Sequence, residues 1–456
     1  MSIESAITAL KSEFGEHVVT SQSVRDLHGQ NEAYFPMTPP DAVVYPGSTA
    51  DVSRIAVICH EHGCPIVPFG TGTALEGHQL AFNGGISLNM ARMNKLLAVH
   101  DADLDCVVQP GITREELNTE LRATGLFFPV DPGANASIGG MTATRASGTT
   151  AVRYGTMREN VMALEVVLAD GRVIRTGTRA RKSSTGYDLT KLFVGSEGTL
   201  GIITEITLKL QGQPEAMSAA VCAFEDFETA VNTVITTIQM GVPMARIEFV
   251  DEMMTRAFNK MEPTAKLPEQ PHLFVEFHGS ERGVAEQAET FGEIVADMGG
   301  ADFKWSAKPE DRTALWKMRH NAYYAQKAMR PGDQIQSTDV CVPISRLAEA
   351  VERSRKMAAE HELEVYVVGH VGDGNFHCGV FVGNDDERAR CAEFTHQLNY
   401  MALELDGTVS GEHGVGRGKI KYMADEHGEA LSLMTEIKRG FDPKNIMNPG
   451  KVLPVN

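Results

Sequence analysis

The chain has 456 residues, a formal charge of −18, 42% apolar residues and no low-complexity tract. That length exceeds one ordinary hydrophobic core and points to two or three domains. The acidic balance, with no Lys/Arg cluster to offset it, argues against a nucleic-acid partner, and no apolar run approaches the roughly 18–20 residues that cross a bilayer.

The opening MSIESAITALKSEFGEH is amphipathic, without a signal-peptide core or an Arg-rich transit pattern. Seven cysteines, at 59, 64, 106, 222, 341, 378 and 391, form no CxxC pair. An in-chain iron–sulfur cluster or Cys₄ zinc site is therefore not expected. The expected location is cytoplasmic and reducing, with a peripheral contact to the inner face of a membrane left open.

From Tyr45 strand and helix signals alternate. Ser48 or Thr49 caps a helix running to Gly63, and Pro65–Phe69 is a short apolar strand. Thr113 with Glu116 forms a capping box for a helix that Gly125 closes. Asp170-Gly171 between two apolar runs predicts a hairpin, and Ile202–Leu210 alternates as a strand. Gln211–Ala216 reads as a linker. Beyond it, helices over Phe227–Met240, Arg282–Met298 and Arg346–His361 interleave with strands HLFVEF, TDVCVP and VYVVGH. That order predicts a second α+β layer, ferredoxin-like in style. From about Gly407 the chain has turn signals and little apolar mass, and is expected to pack back on an earlier domain.

Three glycine-rich segments fall in the first region. Pro68–His78 reads PFGTGTALEGH; its glycines 70, 72 and 77 let backbone N–H groups converge on a phosphate. Leu75 stands where a dinucleotide fingerprint requires glycine, and the GK[ST] of a P-loop is missing. Asp131–Thr156 is a run of Gly, Ala, Ser and Thr suited to a flat phosphate-bearing cofactor, and Gly195–Ile202 is a third such piece.

In the second region Val365–Cys378, VYVVGHVGDGNFHC, places His370 and His377 about a glycine-rich turn at the end of an apolar strand. Glu412 of GEHGVG, Gly411–Gly416, can complete a His₂Glu set with an open position, as catalytic metal sites have. Asp373 and Asn375 shape the turn, and Asn375 is also a candidate contact to a bound ligand. A single helix over Trp316–Ala328 would put Trp316, Arg319 and Tyr323 on one face, with the Arg319 guanidinium placed to grip a carboxylate.

In order and spacing these segments resemble the FAD-binding domain of the vanillyl-alcohol-oxidase type. LWKMRHNAYYA, STDVCVPIS, GHVGDGNFH, GEHGVG and NPGKVL resemble the FAD-linked oxidase C-terminal domain. The resemblance runs from about Tyr45 to the end. It implies an α+β fold: a two-subdomain FAD-binding domain over 1–210 (PCMH-type core about 36–213), a ferredoxin-like substrate or cap domain over 217–406, and a segment 407–456 returning to the FAD domain.

FAD would contact Pro68, Gly70, Thr71, Gly72, Thr73, Gly77 and His78 in the first segment. In the second the contacts would be Pro132, Gly133, Ser137, Ile138, Gly139, Gly140, Ala143, Ser147, Gly148, Tyr154 and Gly155. Glu197, Gly198, Gly201, Ile203 and Asn448 would complete the set. His78 is expected as a polar contact or loop cap, with a covalent flavin link as the alternative.

The resemblance further implies a divalent metal, zinc or manganese, on His370, His377 and Glu412. It makes His413 the base, and Arg319, Tyr323, Asn375 and His413 the substrate contacts. The implied reaction is FAD-dependent oxidation of a small D-2-hydroxy acid, D-lactate to pyruvate first. The flavin subunit of a glycolate oxidase complex and a D-2-hydroxyglutarate dehydrogenase are the alternatives. Hydroxyglutarate-type relatives carry a lysine where this chain has Ser337, which favours a short acid. Cytochrome c, a quinone and an electron-transfer flavoprotein all stand as electron acceptors.

Overall fold

Local signals set the first helix. Ser48 is extended and its hydroxyl accepts from the Asp51 N–H, while Gly63 ends the helix in the left-handed region at φ 65°. In the computed structural model, which describes residues 2–263 and 267–454, this helix is Thr49–His62. Its Val52, Ile55, Ala56 and Cys59 pack with residues of the parallel strands Ala42–Val44, Ile86–Asn89 and Ile66–Phe69.

A second, antiparallel sheet has the order Leu96–His100, Asp105–Val108, Ile202–Lys209, Val161–Val167, Val173–Gly177. Its last pairing is the hairpin expected at Asp170-Gly171, closed by the Gly171 N–H on Leu168 O. The capping box of Thr113 and Glu116 forms and starts the helix Arg114–Leu121, whose Leu117 and Leu121 enter the core of this sheet. Gln211–Gly212, expected as linker, instead pairs with Leu126–Phe127.

Both sheets belong to one compact unit, made of residues up to Ser147, Gly155–Gln213 and Glu412 onward. The second unit is Gly148–Tyr154 with Pro214–Gly411. The segment Gly148–Tyr154, read as part of the FAD region, thus folds with the other unit. Its Val152 packs on that unit's core, and Arg153 donates to Pro243 O.

The second unit is built on an eight-stranded antiparallel sheet. Along its main path run Ala301–Ser306, Ala216–Ala223, His272–Gly279, Met244–Val250, Val365–His370, Asn375–Val382 and Gln334–Ser337. Side chains alternate between its faces. Ile247, Phe249, Val275, Val367, Phe376 and Val380 share one large core with the helices Phe227–Gln239, Glu281–Asp297, Leu347–Glu360 and Asp385–Glu404. Val250, Phe274, Tyr366 and Phe381 point the other way, to the helices Glu252–Met261, Pro309–His320 and Ala322–Lys327.

The helix expected over Trp316–Ala328 is not continuous. It ends at His320, and a new helix starts at Ala322 after Asn321. Trp316 and Arg319 are buried, whereas Tyr323 is 44% exposed and lies against Tyr324 and Lys327. Three-and-four spacing predicts a shared face only while the helix runs unbroken.

Candidate functional site

In the first unit the three glycine-rich segments converge. The Pro68–His78 loop leaves its strand directly over Ser137, so closely that a methyl group on Gly70 would collide with Ser137 Oγ. Ser137 caps the helix Ile138–Thr144 by accepting from the Gly140 N–H. The third segment joins through two backbone bonds, Gly195 N–H to Thr142 O (3.0 Å) and Glu197 N–H to Ala143 O (2.9 Å).

Glu197 is a hub of this unit. Its carboxylate accepts from the N–H groups of Val415 (2.7 Å) and Gly416 (2.8 Å) and lies 3.1 Å from His78 Nε2. Burial alone would push its carboxyl up, but His78 and the two N–H donors outweigh that and hold it below the usual carboxylate range. Asn448 donates to the carbonyls of His78 and Glu197, and accepts from Lys451 Nζ (2.7 Å). His78 thus faces a buried carboxylate, and GEHGVG and NPGKVL are tied to the same loop. Ile138 and Ile203 have their side chains in the core of the second sheet, so the backbone is what they offer a cofactor. Tyr154, placed in the other unit, shares a 2.7 Å hydrogen bond with His278 Nδ1.

In the second unit the polar groups gather on one face of the large sheet. His370 ends the strand Val365–His370 opposite Asn375, and His377 lies two residues beyond Asn375 on the neighbouring strand. The two rings are 5.6 Å apart, and one ligand nitrogen from each lies within 4.8 Å of the other. His370 Nδ1 is 2.7 Å from Glu248 Oε1, and His377 Nδ1 is 2.9 Å from Thr338 O. A carboxylate and a carbonyl only accept, so each Nδ1 carries a proton, and in the neutral ring the lone pair is then on Nε2.

Arg319 is 8% exposed, donates from Nη2 to Glu248 Oε2 (2.5 Å), and its Nε meets no acceptor. The cation over the Trp316 ring is Arg246, at 4.7 Å, not Arg319. Asn375 donates to Asp339 Oδ1 (2.9 Å) and Val340 O (2.8 Å), which leaves its Oδ1 for a ligand. Asp339 also accepts from Ser410 Oγ (3.0 Å) and stands 3.8 Å from His377. Gly411, the last residue of this unit, approaches Asn375 so closely that a methyl group there would collide with its Nδ2. Glu412 and His413 follow at once in the chain, both partly buried.

Two carboxylates of this face, Glu248 and Asp339, are not among the residues expected from sequence. Glu248 sits buried in the strand segment RIEFV, and Asp339 is buried immediately before the short strand Val340–Cys341, in TDVCV. A charge in such a run is the signal that would have found them.

The donor set suits the groups the resemblance implies: backbone-lined loops for a dinucleotide, and two imidazole Nε2 atoms for a borderline metal. Family comparison agrees with the folds. Residues 40–177 match the FAD binding domain and 213–452 the FAD linked oxidases, C-terminal domain. The fold is that of vanillyl-alcohol-oxidase-type flavoproteins. It is shared at a TM-score of 0.80 and 19% identity with 4-ethylphenol oxidase from Gulosibacter chungangensis, over 98% of this chain and 96% of that one.

The chain belongs to the FAD-linked oxidase family. It is 49% identical to a probable mitochondrial D-lactate dehydrogenase of Danio rerio, over 99% of this chain and 92% of that protein. It is 47% identical to the mitochondrial D-lactate dehydrogenase [cytochrome] of Arabidopsis thaliana, over 98% of this chain and 80% of that protein.

Proposed function

We propose that the protein oxidises a small D-2-hydroxy acid, D-lactate to pyruvate, and passes the electrons to a cytochrome c. The observation that carries this reading is the pairing of His370 and His377, each held through Nδ1, with the buried Arg319 on one sheet face. When bound, FAD supplies the hydride acceptor, and a divalent metal such as zinc or manganese supplies a Lewis acid that acidifies the substrate hydroxyl. His370 and His377 would hold the metal, with Glu412 as third ligand. Gly411 lies beside Asn375, and the Glu412 Cα is about 3.8 Å from that of Gly411. His413, next in the chain, would take the hydroxyl proton.

Arg319 would bind the substrate carboxylate through N–H groups that Glu248 does not use. Its burial strengthens that charge-assisted contact. Asn375 would accept from the substrate through Oδ1. Tyr323, being half exposed, would border the substrate rather than enclose it. Ser337 offers only a hydroxyl, whose Oγ lies 3.4 Å from Thr338 O. A second substrate carboxylate would find no cation there, which favours lactate over hydroxyglutarate.

Anaerobic mixing of the flavin-loaded enzyme with D-lactate should bleach the oxidised flavin band near roughly 450 nm. Bleaching by L-lactate and not by the D isomer would overturn the stereochemistry. Faster reduction by D-2-hydroxyglutarate or glycolate would reassign the substrate.

A further inference from the structure

Glu248 lies in the strand Met244–Val250 and is wholly buried. Its neighbours Ile247 and Phe249 enter the large core, while Glu248 points to the opposite face, beneath the helix that carries Arg319. Burying a carboxylate is costly, and an apolar residue of similar volume generally serves stability as well as a buried ion pair does. What the carboxylate does here is join two residues of the proposed chemistry. One oxygen accepts from His370 Nδ1 at 2.7 Å and the other from Arg319 Nη2 at 2.5 Å.

We propose that Glu248 is the positioning residue that sets metal-ligand His370 and substrate-binding Arg319 in register with each other. The inference rests on the metal reading of the previous section. An acceptor-only carboxylate admits a single tautomer of neutral His370, the one with Nε2 unprotonated, and raises its basicity as a ligand. The same group fixes the rotation of the Arg319 guanidinium. A 2-hydroxy acid carries its hydroxyl and carboxylate on adjacent carbons, so the groups that receive them must keep a short, constant separation. A rigid carboxylate spanning both partners provides that spacing, which two independent contacts would not.

Glu248→Gln tests this with little change of shape. The amide offers one acceptor and one donor where both partners donate, so either Arg319 turns away or His370 takes the tautomer that protonates Nε2. The flavin-loaded enzyme is stripped with a chelator and titrated with zinc alone by calorimetry, then assayed with D-lactate. The expected result is zinc affinity weakened by about 10–100-fold and a raised KM, with the flavin spectrum unchanged. Glu248→Asp keeps two acceptor oxygens and should recover part of both losses.

Zinc affinity and KM within about twofold of the parent in Glu248→Gln, while His370→Ala loses zinc, would overturn the role of Glu248 and leave the metal reading standing. Parental zinc affinity in His370→Ala would overturn both. Should the glutamine variant not fold, the aspartate variant decides alone: weaker zinc binding than the parent supports the proposal, and parental binding overturns it.

Discussion

The two units handle polar chemistry in opposite ways. The first brings backbone to the surface: small residues at Gly70, Ser137–Gly140 and Gly195–Gly198 let three loops approach one another, with side chains such as Glu197 and Asn448 holding them from behind. The second brings charged side chains inward, on one face of a sheet whose other face packs on the large hydrophobic core. A cofactor held by backbone tolerates side-chain change but not added bulk. A reaction centre held by side chains tolerates bulk nearby but not the loss of a single donor or acceptor.

The sharpest way to break the comparison is His413→Ala. Loss of a general base should lower kcat with D-lactate by about 10²–10⁴-fold, with the flavin spectrum retained, and parental kcat would remove His413 from the chemistry. Next comes metal removal: dialysis against a strong chelator should abolish most activity, and zinc or manganese should restore it without re-addition of FAD.

Bulk tests the other unit. A Cβ on Gly139 would lie 2.5 Å from Pro110 Cβ and 2.9 Å from Pro110 O, so Gly139→Ala should cost about 1–3 kcal/mol. It should also loosen flavin retention, read as a lower Tm and free flavin in the filtrate, while zinc binding is kept.

Glu197 predicts an acid limit. Its folded pKa is depressed, so its stabilising contribution is fully present above the unfolded carboxylate value of about 4.3. That contribution is lost as pH falls through the lower folded value. Thermal melts from pH 7 down to pH 3 should show a steep acid decline that Glu197→Gln flattens. The smallest effect is expected at Ser337, which is exposed. Ser337→Lys should lower KM for D-2-hydroxyglutarate by about 2–5-fold, the worth of one solvent-exposed ion pair.

Much of this was legible in the chain, and residues show why. Ser48, Thr113 with Glu116, and Asp170-Gly171 act through hydrogen bonds within a few positions, so their outcome needs no tertiary information. His370 and His377 were legible for the same reason, since one short hairpin sets their pairing. The helix break at Asn321 was not, because a periodic pattern continues across it in sequence. Glu248 was missed because its partners lie 71 and 122 positions away.

By itself the sequence determined the locally capped helices, the Asp170-Gly171 hairpin, the glycine-rich loops and the His370–His377 pairing, all properties of neighbours along the chain. Only the tertiary structure decided that Gly148–Tyr154 folds with the second unit. It also decided that Arg319 is buried against Glu248, and that one carboxylate serves both Arg319 and His370. Those outcomes depend on which strands pair and which face each helix covers. They are set by burial summed over the whole sheet, which no local pattern records.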